Sequence, residues 1–203
     1  MATVELREGS VRKSKKLFLK SLESPNDNSM AQLEWASNRA NLFDIKPSDY
    51  DIKNNYEALA ADSFHNQSWE ECIKYSEKWF IDMPFTKRPA QLGAHVASYF
   101  LDDIQTAIDF TRAGLVSNPN DPLLLNNMAY YLAKEGSIDE AEKYLIKGAA
   151  IPDIESSLKI CMIATEGVIS FRSGEVEKGR KKYLEAIELS EKANKKYYHL
   201  WPF

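Results

Sequence analysis

The side chains of this protein that could do chemistry are few and scattered. Its three histidines are His65, His95 and His199, and its two cysteines are Cys72 and Cys161. A structural zinc site draws on His or Cys ligands paired about two to four residues apart, and no such pair occurs here. A reactive thiolate needs access to solvent and a cationic neighbour. Cys72 and Cys161 fall instead on apolar helical stripes, which assigns both to packing. Adjacent carboxylates occur at Asp102-Asp103, Glu70-Glu71 and Asp139-Glu140. Each pair lies at a turn or a helix start, where negative charge complements the helix dipole, so these read as end-stabilising groups and not as acid–base pairs. The stretch "GVISFRSGEVEKG" has glycines at 167, 174 and 179, which is not the spacing of a phosphate-cradling loop. The sequence therefore offers no catalytic residue, no metal ligand and no cofactor site, and the chain is expected not to be an enzyme.

Two basic runs remain, Arg12-Lys13-Ser14-Lys15-Lys16 and Lys178-Gly179-Arg180-Lys181-Lys182. Their functional reading is contact with nucleic acid or an acidic partner. The plainer reading is a solvated helix face. No aromatic residue is interleaved with the bases, and the formal net charge is -4, which favours the plainer reading. So mild a charge also argues against nucleic acid or an anionic membrane as the main partner.

What has to position these groups is a succession of helices. Leu125, Met128, Ala129 and Leu132 recur at helical spacing, and so do Ile138, Ala141, Leu145 and Ala149. No stretch shows sustained strand-type alternation. Asp121 is placed to cap a helix that begins at Pro122. Ser68 with Glu71, Ser137 with Glu140, and Ser29 with Gln32 have the spacing of reciprocal helix-start caps. The chain has 203 residues, 44% hydrophobic and 28% charged, enough for a sizeable core. The opening "MATVELREGSVRKSKK" has no apolar stretch of signal-peptide type, no run approaches the ~20 residues of a membrane span, and the two cysteines fit a reducing compartment. The expected location is the cytoplasm.

The helices repeat. Pro84 and Pro119 each close a helix–turn–helix unit 35 residues apart, and Cys72, Ala107, Ala141 and Gly179 stand at intervals of 35, 34 and 38. Gly136 and Gly174 mark two turns. A period near ~34 made of two helices is that of the tetratricopeptide repeat. Residues 53–193 resemble that family in four units, 53–86, 88–121, 122–155 and 160–193, the third matching best as "NNMAYYLAKEGSIDEAEKYLIKGA". The second unit has Asp102-Asp103 where the turn glycine belongs, and the fourth has Gly179 where alanine is usual. The resemblance implies an all-α fold, a right-handed α-solenoid of stacked antiparallel helix pairs forming a superhelix. Small residues at the crossings let the helices approach closely, and stacked pairs share one continuous core.

In that family the first helix of each pair lines a concave face that takes extended or helical peptides. By register, the resemblance places Leu92, Val96, Tyr99, Asn126, Asn127, Tyr130, Lys134, Val168 and Phe171 on that face, together with Glu57, Ala61 and Ala164. Asparagines can donate to and accept from a peptide backbone, and the aromatic rings supply contact area at low entropic cost. Some members grip acidic chaperone tails with cations on successive first helices. Here those helices offer Asn54, Glu57, Ala61, Leu92 and Val96, so that ligand is not expected, and an uncharged extended peptide or an amphipathic helix fits better.

Three segments follow from this division. Residues 1–52 form an N-terminal helical segment, 53–193 the array, and 194–203 a helix extension with an aromatic tail. The stretch 10–23 reads either as the second helix of a pair whose first helix lies before Met1, or as an ordinary leading helix that shields the array. Residues 44–52 read as an irregular connector. Tyr197, Tyr198, Leu200, Trp201 and Phe203 either fold back over the last apolar face or serve as a docking peptide. The expected function is a non-catalytic protein–protein interaction scaffold that binds a peptide or helix of another protein, with no small-molecule substrate and no membrane partner. The alternatives are a C-terminal regulatory or assembly module of a larger enzyme or transcription factor, and a homodimerisation module.

Overall fold

The computed structural model describes residues 2–193 apart from 24, 41, 44–48, 50–51 and 53. The aromatic tail and most of the connector at 44–52 therefore lie outside the described residues. Among the described residues there are eleven α-helices and no strand. In chain order they are α1 (Ala2–Glu8), α2 (Val11–Ser21), α3 (Asp27–Ala40), α4 (Tyr56–His65), α5 (Trp69–Asp82), α6 (Arg88–Tyr99), α7 (Ile104–Ser117), α8 (Pro122–Glu135), α9 (Ile138–Ala149), α10 (Ser156–Arg172) and α11 (Val176–Lys192). The protein is all-α, as its periodicity predicts. It divides into two compact units, residues 1–101 and 102–203.

In the first unit, consecutive helices pack as α1 on α2, α3 on α4, α4 on α5 and α5 on α6. Phe18, Met30, Leu33, Ala36 and Ala58 make one apolar cluster, and Ala60, Cys72, Trp79, Leu92 and Val96 make another. Inside the chain, α2 packs on α1. The hydroxyl of Ser14, buried on α2, donates to the Ala2 carbonyl at 2.9 Å. The helix α1 has no buried residue of its own, so no apolar stripe announces it.

In the second unit α7 packs on α8, α8 on α9, α9 on α10 and α10 on α11, and α8 also meets α10. Contact between the leading helices of successive pairs lets their apolar faces join into one core. Leu124, Leu125, Met128, Tyr131, Leu132, Ile160 and Met162 are buried there. At the α10–α11 crossing the two backbones come very close. A Cβ on Gly179 would sit 2.8 Å from Cγ of Phe171 and 3.0 Å from the Gly167 carbonyl oxygen, and one on Gly167 would sit 2.7 Å from the Tyr183 ring. Glycine stands at 179 because the side chain above it already fills the space of a methyl group.

Four of the turns between later helices share one device. Gln67, Asp102, Gly136 and Gly174 all have positive φ, at 59°, 50°, 107° and 83°. Each comes just before the residue that starts the next helix, Ser68, Asp103, Ser137 and Glu175. Only glycine adopts this left-handed conformation without cost. The caps differ from the sequence expectation. Asp121 accepts from the Leu124 amide as predicted, and Asp103 does the same for Thr106. Ser68 and Ser137 make no side-chain cap bond, and the Ser137 hydroxyl donates to Glu135 instead, at 2.9 Å. At α3 the reciprocal cap joins Asn26 and Ser29. The Ser29 amide donates to Asn26 Oδ1 at 2.9 Å and the Asn26 amide to Ser29 Oγ at 2.8 Å, while Gln32 bonds Asn28 and Thr3.

Candidate peptide-binding face

In the first unit the expected lining residues lie on α4 and α6. Leu92 and Val96 are buried in the same apolar cluster as Cys72 and Trp79, so they hold the helices together and are not open to a ligand. Spacing cannot tell an inward row that meets the next helix from an adjacent row that meets solvent. Glu57 is largely buried and ion-paired with Arg88, whose guanidinium lies 5.3 Å over the Trp79 ring. Burial pushes the Glu57 carboxyl above its ordinary range and the Arg88 charge pulls it back. Ala61 is half-buried.

Tyr99, in contrast, is 67% exposed and belongs to an aromatic group at the ends of α4, α5 and α6. The Trp69 and Phe100 rings stack 3.8 Å apart with 12° between planes, and Phe64 meets both edge-on at 5.6 and 5.8 Å. His95, buried, stacks with Tyr99 at 5.6 Å and abuts Phe100 at 5.6 Å. Of this group the repeat register points to Tyr99 alone, because Phe64, Trp69 and Phe100 sit at helix ends, outside any stripe. The signal was there in Phe64 and Trp69 flanking one turn while Tyr99 and Phe100 open the next.

In the second unit the expected residues lie on α8 and α10, which pack together. Asn126 and Asn127 are 5% and 3% exposed, and their Oδ1 atoms are buried with no hydrogen-bond partner. Beside them Tyr130 is half-buried. Lys134 reaches the Asp102 carboxylate at 3.4 Å. On α10, Val168 and Ala164 are half-buried and Phe171 is 39% exposed, its ring 5.6 Å from Tyr183. Burial raises the Tyr183 phenol above its ordinary range, and Tyr130 adds to that, so α8, α10 and α11 bring their aromatic side chains to one neighbourhood. Lys182 ties α11 to α10 by bonding Glu166 at 2.9 Å, which raises the lysine.

The groups considered for chemistry are placed structurally. Cys72 is buried, its thiol donates to the Ala60 carbonyl at 3.4 Å, and burial pushes it up to about 12. Cys161 is buried as well. Among the described residues no three His, Cys, Asp or Glu side chains gather in metal-binding fashion, and no helix is long and apolar enough to cross a membrane.

No family model matches this sequence, and no curated protein matches it. Solved structures do. The crystal structure of MamA protein covers 99% of this chain and 98% of its own, with 16% identity and a TM-score of 0.51. A structure from the functional characterization of Pseudomonas aeruginosa PilF covers 96% and 94%, with 17% identity and a TM-score of 0.60. A MamA RS-1 ArsTM double mutant covers 90% and 97%, with 12% identity and a TM-score of 0.54. At such identities the likeness is one of fold, and that fold is the tetratricopeptide type of helical repeat that the sequence resembles.

Proposed function

We propose that this chain is a non-catalytic interaction scaffold whose helix pairs in residues 53–193 serve to bind another protein. In its second unit, the face of α8 and α10 takes an extended peptide or an amphipathic helix. One observation carries this reading. Two buried amide oxygens, on Asn126 and Asn127, lack hydrogen-bond partners one turn before the half-buried Tyr130 on α8, the helix that packs on α10 with its exposed Phe171. A buried unpaired carbonyl costs about 1–3 kcal/mol, and a peptide amide recovers that cost once the asparagine side chain rotates outward to meet it, which an apolar core residue such as Leu92 gains nothing by doing. Rigid aromatic side chains next to amide groups then give contact area and backbone bonding together. In the first unit, taken by itself, Tyr99 is an exposed aromatic side chain on α6, whereas Leu92 and Val96 serve its core.

The test is selection from a displayed peptide library on the whole chain, run in parallel on an Asn127→Ala/Tyr130→Ala variant. Enrichment of related peptides by the native chain and not by the variant, with both melting cooperatively, supports the reading. Enrichment that is equal on both, or absent from both, overturns it. A second reading, pairing of two copies, is favoured by Val176, Leu184 and Leu189, which are exposed on α11. Light scattering on native chain and Leu184→Glu separates the two readings.

A further inference from the structure

The composition of the whole chain argues against an anionic membrane, but the outer face of α2 has a different character. Residues 11–21, "VRKSKKLFLKS", contain five basic side chains and no acidic one, within a chain of net charge -4. Ser14 and Phe18 are the buried residues of α2. At 100° per residue this turns Arg12, Lys16, Leu19 and Lys20 outward, with Lys13 and Lys15 flanking them, while Val11 stands at the start of the helix on the side of Ser14 and Phe18. Val11 is 53% and Leu19 48% exposed. Lys13 is engaged by Glu5 at 3.0 Å, and Lys15 lies 5.4 Å over the Phe43 ring. Among the described residues Arg12, Lys16 and Lys20 make no ion pair.

We propose that this face of α2 docks on an anionic lipid surface. An exposed face that sets Leu19 among cations matches the boundary between lipid headgroups and acyl chains, where charge meets phosphate and the aliphatic group leaves water. A nucleic acid backbone offers the cations equal attraction but gives Leu19 nothing to bury against. The helix is about 16 Å long, so it lies flat on the surface and does not span it. This inference is independent of the α8–α10 face, which has no part in it.

The experiment is co-sedimentation of the full chain with phosphatidylcholine vesicles, with and without phosphatidylserine. Binding is expected only to the serine-containing vesicles and is weakened by raised salt. Each outer cation contributes about five-fold, so Arg12→Gln/Lys16→Gln/Lys20→Gln lowers the partition on the order of 100-fold. Leu19→Gln lowers it roughly five-fold or more. All four side chains are exposed, and circular dichroism checks that the variants keep their helices. Failure of the native chain to sediment with anionic vesicles at low salt overturns the proposal. So does an unchanged partition in the triple variant. A loss on charge removal with none for Leu19→Gln, together with equally tight binding of duplex DNA, also overturns it in favour of general polyanion binding.

Discussion

The pairs α4–α5 and α10–α11 solve the same problem with different residues. In α4–α5 the small residue of the second helix is Cys72, and it fits under Ala60 with its thiol bonded to the Ala60 carbonyl. In α10–α11 the equivalent residue is Gly179, and it lies beneath Phe171 while Gly167 lies beneath Tyr183. Each helix of the last pair thus sends an aromatic ring across the other helix's glycine. The size of the small residue is set by what crosses over it, and a consensus preference at that position has no say. What is gained is that Phe171 and Tyr183 stand at the surface beside the face assigned to a partner.

The largest effect is expected where that reciprocity is broken. Gly179→Leu should cost the second unit about 3 kcal/mol, because both the Phe171 ring and a backbone carbonyl block the added atoms. Gly179→Ala should still lose about 1–2 kcal/mol, although alanine is the better helix former. Cys72→Ala, which only empties space in the first unit, should lose about 1 kcal/mol. Urea unfolding of the three variants gives the ranking, and a stabilised Gly179→Ala would break the comparison.

The turns of the two pairs differ in the same spirit. Gly174 carries its positive φ without cost, while Gln67 holds φ of 59° with a side chain attached. Gly174→Ala should therefore cost about 1–2 kcal/mol. Gln67→Gly should gain about 0.5 kcal/mol, since the relief of backbone strain is partly offset by a freer unfolded chain. Thermal melts of both variants are the check, with opposite signs of the shift in Tm expected.

Those turns also show how far the sequence could be read. Gly136 and Gly174 announce their conformation by residue type, Asp102 only by standing where the turn glycine belongs, and Gln67 by nothing local. The crossing residues Cys72, Ala107, Ala141 and Gly179 were legible because a period survives substitution, and all four are buried. The helix α1 was not, because a seven-residue helix with no buried side chain leaves no stripe. The repeat register located the rows of the candidate face. It could not tell Val96, packed in the core, from Tyr99 three residues on and exposed, since that depends on which neighbour covers each row. Serine caps failed for a similar reason. The spacing of Ser137 and Glu140 is right, but the hydroxyl turns back to Glu135.

Charge separates the two regions too. Glu166 of α10 is partly open and bonded to Lys182. Glu34 of α3, which packs on α4, is buried and has Asn38 as a donor at 2.8 Å. Burial raises its pKa, the nearby Asp62 adds to this, and the Asn38 bond and His65 work against it. The sign follows directly. The folded chain holds this proton more tightly than the unfolded one, so stability rises as pH falls from above the folded pKa toward the ordinary 4.5, and this contribution is lost at neutral pH. Glu34→Gln should stabilise the first unit at pH 7 and flatten that part of the pH profile. Denaturant melts at several pH values measure it, and an unchanged profile would remove Glu34 from the account.

The smallest effect concerns the residues that start α5, α7 and α11. Ser68, Asp103 and Glu175 hold nearly the same backbone angles, with φ of -89°, -94° and -82° and ψ of 76°, 84° and 61°. Only Asp103 places a side-chain oxygen on an amide, that of Thr106 at 3.0 Å, and the Thr106 hydroxyl and amide hold its carboxyl below the ordinary range. Serine in this geometry turns away and glutamate overshoots, so the chain length of aspartate is what the backbone asks for. Ser68→Asp and Glu175→Asp should each gain about 0.5 kcal/mol, and Asp103→Ala should lose up to about 1 kcal/mol. If Ser68→Asp gains and Glu175→Asp does not, the exposed pair of Glu175 with Lys178 at 2.8 Å is already supplying what a cap would. The two pairs would then differ at their helix starts as they do at their crossings.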